Sequence, residues 1–184
     1  EKSFTVNAAQ ARELADRAAE RGVVIMEAMW TRFLPHMVRI HEILDAGALG
    51  DVRTVLADHS QSISTDPKHR LQNPDLGGGA LLDLGIYPVS LAVDILGLPT
   101  SIAAAATMTP TGVDRQTAMQ FVHEDGRQAV LHSVLDTKGP NRASILGTQG
   151  WIDIDPVWYT ATSFTHYGAD GSVVERFEHP LSTR

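Results

Sequence analysis

The sequence predicts an α+β fold: a predominantly antiparallel, open-faced β-sheet with helices on one face, preceded by the last helix and strand of a parallel βαβ unit. Three observations lead there. A capped amphipathic helix over residues 7–22 runs straight into the wholly apolar Val23-Val24-Ile25-Met26, the pattern of a strand buried on both faces of a parallel sheet. Two further helical segments follow before residue 100. Beyond it the chain becomes a succession of short strand-like runs joined by Asp-Gly turns, which implies hairpins and an antiparallel meander.

The elements justify themselves in order. Asn7 caps the first helix, and Gln10 completes a capping-box pattern. Ala8, Ala11, Leu14, Ala15, Ala18 and Ala19 line its apolar stripe, and Gly22 stops it. The strand that would precede this helix is absent, so the start reads as cut from a larger α/β domain. A second helix is expected over 36–46, with Met37, Ile40, Ile43 and Leu44 inward and Gly47 and Gly50 at its end. A strand is expected over 52–63. Residues 64–79 carry Pro67, Pro74 and Gly77-Gly78-Gly79 and read as a loop long enough to suspect a function. Residues 80–96 read as a helix kinked at Pro88, which cannot donate to the Leu84 carbonyl. Strands are expected over 101–109, 117–124, 128–137, 142–147, 151–154, 163–167 and 172–178, with turns at Asp125-Gly126, Thr148-Gln149-Gly150 and Asp170-Gly171.

Composition excludes several function classes. The 184 residues suit one domain or one and a half. A formal charge of −7 argues against nucleic acid or an anionic membrane as partner. The absence of cysteine excludes a disulfide scaffold, a thiolate zinc site and a cysteine nucleophile, and fits a cytoplasmic protein. No apolar run approaches the ~18 residues of a membrane span, and no basic-then-apolar leader opens the chain. The histidines are scattered without metal-ligand spacing, so no metal site is expected. One face of the sheet must be covered, and a second copy of the chain would cover it, as a homodimer or homotetramer.

A few residues stand out as candidates. Asp83 and Tyr87 lie four apart in an otherwise apolar helical run; that spacing puts carboxylate and phenol on one face. They read either as a hydrogen-bonded core pair bracing a kinked helix or as a reactive pair. Gly77-Gly78-Gly79 just before them reads either as a tight turn or as backbone that a ligand approaches closely. Glu1-Lys2 and Trp30-Thr31-Arg32-Phe33 both sit where strands of a parallel sheet would end, the side on which such sheets bind ligands. His69-Arg70 lies on the approach to the glycine loop and would meet an anionic or hydroxylated ligand, or simply solvent.

Together these pieces resemble the GFO/IDH/MocA family of NAD(P)-dependent oxidoreductases, and within it the dihydrodiol dehydrogenase-like branch. Glu1-Lys2-Ser3 resembles the family's Glu-Lys-Pro motif, with serine for the usual proline. Glu27-Ala28-Met29-Trp30-Thr31-Arg32-Phe33-Leu34-Pro35 resembles the branch's crossing segment between domains. The stretch from Leu76 through Gly77-Gly78-Gly79, Asp83 and Tyr87-Pro88 carries the most specific likeness, and Gly147-Thr148-Gln149-Gly150 adds a further family turn. The resemblance implies that residues 1–28 are the remnant of a Rossmann-type dinucleotide domain and 29–184 a substrate-binding and oligomerisation domain. It implies hydride transfer between a secondary alcohol (a cyclic diol, sugar or polyol) and NAD or NADP. The catalytic residues would be Lys2, Asp83 and Tyr87, the substrate-binding residues Trp30, Arg70 and Asp83, and the cofactor contacts Glu1, Lys2, Trp30 and Arg32. A free phenol has a pKa of roughly 10 and needs a nearby ammonium to serve as a base, which pairs Tyr87 with Lys2. The family's glycine fingerprint is missing and its chains usually continue further. The chain therefore reads as truncated at both ends, inactive alone, with the cofactor bound mainly by the missing part. The alternative is a non-catalytic dimerisation or ligand-binding module derived from the same family.

Overall fold

The computed structural model describes residues 3–179. Helix α1 spans Ala8–Glu20, α2 Pro35–Asp45 and α3 Ile86–Leu96. The strands are β1 (Val52–Ser60), β2 (Ser101–Met108), β3 (Asp114–Val122), β4 (Gln128–Val134), β5 (Ala143–Gly147), β6 (Gly150–Ile154), β7 (Phe164–Gly168) and β8 (Val173–Phe177). They form one eight-stranded sheet in the order β2-β3-β4-β1-β5-β6-β7-β8.

The expected meander is present as two antiparallel runs, β2-β3-β4 and β5-β6-β7-β8, with β1 inserted between them. β1 pairs in parallel with β4, from Thr54 opposite Gln128 to Ser60 opposite Val134, and antiparallel with β5. The chain leaves β1, crosses the sheet through α3, and returns to it through the β2-β3-β4 hairpins. Parallel neighbours require such a crossover. β1 therefore becomes the sheet's centre.

Period-two alternation decides what faces the helices. On β1 the inward set is Val55, Ala57 and His59, all buried, while Leu56 points outward and is exposed. Met37, Ile40 and Ile43 of α2 and Leu91, Ala92 and Leu96 of α3 pack on this inner face against Phe121, Leu131, Ile145, Ile152 and Trp158. The opposite face carries exposed Leu56 and Val130, and β2 is exposed along its whole length. This is the open-faced arrangement expected from the sequence. The run Pro74–Leu96 is, against expectation, long and apolar enough to cross a membrane by composition. Its buried Ala80, Leu84, Leu91 and Leu96 make it a core helix of the sheet.

The beginning of the chain departs from expectation. Asn7 Oδ1 accepts the Gln10 N–H at 3.0 Å, so the predicted cap forms. Gln10 Oε1 accepts from Val6 N–H rather than from the Asn7 N–H of a standard box. α1 buries only Ala18, and Val23–Met26 is not a strand: Val24 is 94% and Met26 74% exposed. A strand exists only through its neighbours, and among the described residues none pairs with this segment.

His36, on α2, is fully buried and donates from Nε2–H to Trp158 O at 3.1 Å. Burial holds its pKa below the ordinary imidazole value, outweighing that bond, and burial acts the same way on His166. The unfolded chain therefore takes up protons below about pH 6.5 that the folded chain refuses, so stability is present above that pH and erodes below it. Thermal melts at about pH 7.5 and 5.5 should show a smaller acid-induced fall in Tm for His36→Gln, which keeps the donor but cannot titrate. Equal falls in variant and wild type would contradict this.

Candidate active site

The functional candidates converge where the glycine loop enters the helix. Gly78 N–H donates to Asn73 O and Gly79 N–H to Leu71 O, both at 3.0 Å. A side chain at Gly78 would press on those same carbonyls, and one at Gly79, where φ is +112°, would collide with the Asp114 carboxylate. Asp114 Oδ2 accepts from Leu81 N–H at 2.8 Å and from the Thr117 hydroxyl at 2.7 Å, capping the helical run from β3. Of the two sequence readings of the triplet, the tight turn describes it: the N–H groups that would cradle a ligand serve the loop itself.

The helix then starts as a single π-helical turn, Leu81–Gly85, before α3 begins. Such widened turns accommodate a break in the helical ladder, and Pro88 makes that break. Asp83 and Tyr87 are both buried here, at 5% and 8% exposure. Arg70, on a short 3-10 turn, lays its guanidinium over Asp83 with Nη2–H donating to Oδ1 at 2.8 Å. Arg70 itself stays largely exposed, so the buried carboxylate faces solvent through an arginine.

Three residues that sequence reasoning did not single out surround Tyr87. His59 meets its ring edge-on, with centroids 5.0 Å apart at 81°. Tyr159 stacks on His59 at 3.7 Å and lies 5.4 Å from Tyr87. Gln61 Nε2 is 2.8 Å from His59 Nε2 and 3.4 Å from the Tyr159 oxygen. Burial pushes the Tyr159 phenol pKa up. One signal for His59 was in the sequence: it ends the inward phase Val55, Ala57, His59, where another apolar residue belongs. Tyr159 carried no such mark.

The remaining candidates distribute as follows. Arg32 turns to α3, donating to Ser90 Oγ at 3.2 Å and pairing with Asp94 at 3.3 Å. It meets Tyr87 across a narrow crevice between its own 3-10 turn and α3. It also lines a cleft of about 340 Å³ with Met26, Ile86 and Ser90. Arg70 and Asp83 line a second cleft, of about 220 Å³, beside Ser3 and Gly77. Trp30 is half-exposed and lines neither cleft. Glu1 and Lys2 lie outside the described residues. Ser3, their chain neighbour, donates its hydroxyl to Leu82 O at 2.7 Å, one residue before Asp83.

Residues 37–153 match the family model of the GFO/IDH/MocA C-terminal domain. The chain belongs to the GFO/IDH/MocA family. It is 36% identical over its full length to the trans-1,2-dihydrobenzene-1,2-diol dehydrogenase of Xenopus tropicalis, of which it covers 54%. Over 65% of its length it is 40% identical to the D-xylose 1-dehydrogenase (NADP(+)) of Hypocrea jecorina, covering 34% of that protein. Its fold matches the aldose-aldose oxidoreductase of Caulobacter crescentus, solved with glycerol, at a TM-score of 0.83 and 28% identity, over 97% of this chain and 56% of that one. The chain thus spans about half the length of the first of these relatives and of the solved structure.

The close approach at Gly79 is directly testable. Gly79→Ala should cost about 2–3 kcal/mol in chemical denaturation, from backbone strain plus the clash with Asp114. Gly22→Ala, at φ +61° in the left-handed helical region and in open space, should cost about 1 kcal/mol. Equal losses would contradict the packing argument.

Proposed function

We propose that the full-length protein is a nicotinamide-dependent dehydrogenase that moves hydride between a secondary alcohol (a cyclic diol, sugar or polyol) and NAD or NADP. Tyr87 is the acid/base, assisted by Lys2. One observation carries the reading. Asp83 and Tyr87 are buried side by side on the helix that begins where Ser3, next in the chain to Lys2, is bonded to Leu82 O. Lys2 itself lies outside the described residues and enters this reading as the sequence neighbour of Ser3.

The chemistry follows from these side chains. Oxidising a carbinol requires that its hydroxyl proton leave as the hydride leaves. Tyr87, as the phenolate that the Lys2 ammonium favours, takes that proton and becomes the phenol. Asp83, held by Arg70, orients Lys2 and a substrate hydroxyl. Arg70, with its exposed guanidinium, closes over a hydroxylated substrate. Trp30 supplies an apolar wall for a ring.

The surface by Arg32 fits a flat cofactor ring. The cleft of Met26, Arg32, Ile86 and Ser90 is mainly apolar, with the Arg32 guanidinium and the Glu27 carboxylate also lining it. Arg32, Trp30, Glu1 and Lys2 would hold the nicotinamide end, and the phosphates would be held by a dinucleotide domain to which residues 1–28 belong. When bound, that group supplies the hydride acceptor. Residues 29–184 form the substrate domain, whose open sheet face pairs with a second copy in a dimer or tetramer.

Replacing Tyr87 by Phe should lower kcat of the full-length enzyme by about 10²–10⁴. The assay is initial rates on cyclic diols and aldoses with NAD and with NADP. Turnover unchanged in the variant would overturn the assignment.

A further inference from the structure

Pro88 leaves a defect that another element repairs. In a regular helix the N–H of residue 88 would serve the carbonyl of Leu84, and proline has none. Leu84 is fully buried, and its carbonyl keeps a backbone N–H at the helix junction, so one lone pair is left for another donor. His59, from the centre of the sheet, supplies it through Nδ1 at 3.1 Å. A carbonyl only accepts, so Nδ1 carries the proton. Nε2 is then the acceptor of the neutral ring, and the Gln61 amide donates to it at 2.8 Å. The same imidazole meets Tyr87, one turn beyond Leu84, edge-on. Tyr159 clamps its other side, nearly parallel at 27°. The ring is thus held at both nitrogens and on its flat side, with 1% exposure.

We infer that His59 is the positioning residue of Tyr87. It is held as the neutral Nδ1–H tautomer, replaces the helical donor that Pro88 lacks, and sets the angle at which the phenol is presented. It does not touch substrate; it acts by holding both the backbone before Tyr87 and the ring of Tyr87. The inference rests on the proposed role of Tyr87.

The test uses the full-length protein and three single variants. Asn carries its amide nitrogen where His carries Nδ1, so His59→Asn keeps the donor to Leu84 O. His59→Phe keeps a ring but loses the donor. His59→Phe should lower kcat about 10- to 100-fold, the cost of misplacing a reacting group by around an ångström, with KM nearly unchanged. His59→Asn should recover most of that loss. Wild-type kcat in the Phe variant, or equal losses in both variants, overturns the inference. The ring ¹⁵N spectrum of His59 gives a readout independent of turnover: a protonated Nδ1 and a bare Nε2 are expected, and the reverse tautomer overturns the inference. Tyr87→Phe separates the two claims. Undiminished turnover there refutes the role of Tyr87, whereas a loss there with full activity in His59→Phe refutes only the role of His59.

Discussion

A proline inside a core helix leaves one carbonyl without its helical donor, and the site is arranged around that lack. The helix enters as a π turn, Leu81–Gly85, continues as α3, and carries Asp83 and Tyr87 across the junction. The His59 imidazole takes the place of that missing donor and is itself immobilised in doing so. A device that stabilises the helix therefore also aims a phenol. Gly85 belongs to the same arrangement. A side chain there would press on Ser133 of β4 and Leu81, so the widened turn lies close against the sheet.

The sheet's topology puts these parts together. β1 lies at the centre because the β2-β3-β4 hairpins return to lie beside it in parallel. Its last residues thereby end beneath the helix that crosses over it. His59 and Gln61 come from that end, and Tyr159 from the segment between β6 and β7. Asp83 is reached from the other side, by Arg70 of the long loop. The site is thus a meeting of four chain segments on the inner face. The outer face is left open, with Leu56 and Val130 exposed.

Much of this was legible where the governing physics is local. Proline's missing N–H predicted an irregularity in this helix, which falls before Pro88, at the π turn Leu81–Gly85, while α3 runs on through Pro88 itself. Asp-Gly pairs predicted the turns before β4 and β8, and apolar periodicity predicted α2 and the inward strands. What depended on distant partners was not legible. Val23–Met26 has the composition of a buried strand, but composition cannot supply the neighbouring strands that would make it one. The central place of β1 depends on pairing with β4, remote in sequence. The glycine triplet read either as a tight turn or as backbone a ligand approaches; its tight geometry answers to Leu71, Asn73 and Asp114 of this chain. Arg32 was expected at a cofactor surface. That it also braces Ser90 and Asp94 depends on how the crossing segment packs on α3. His59 was marked only as a polar residue in an inward apolar phase, Tyr159 not at all, and only the fold brings them to Tyr87.

The most direct measurement is a crystal structure of the full-length protein with a nicotinamide cofactor and an alcohol bound together. The account predicts that the carbinol oxygen lies about 2.6–3.2 Å from both Tyr87 Oη and Lys2 Nζ, with His59 Nδ1 still on the Leu84 carbonyl. A carbinol oxygen out of reach of Tyr87, with no water bridging the two, would contradict it.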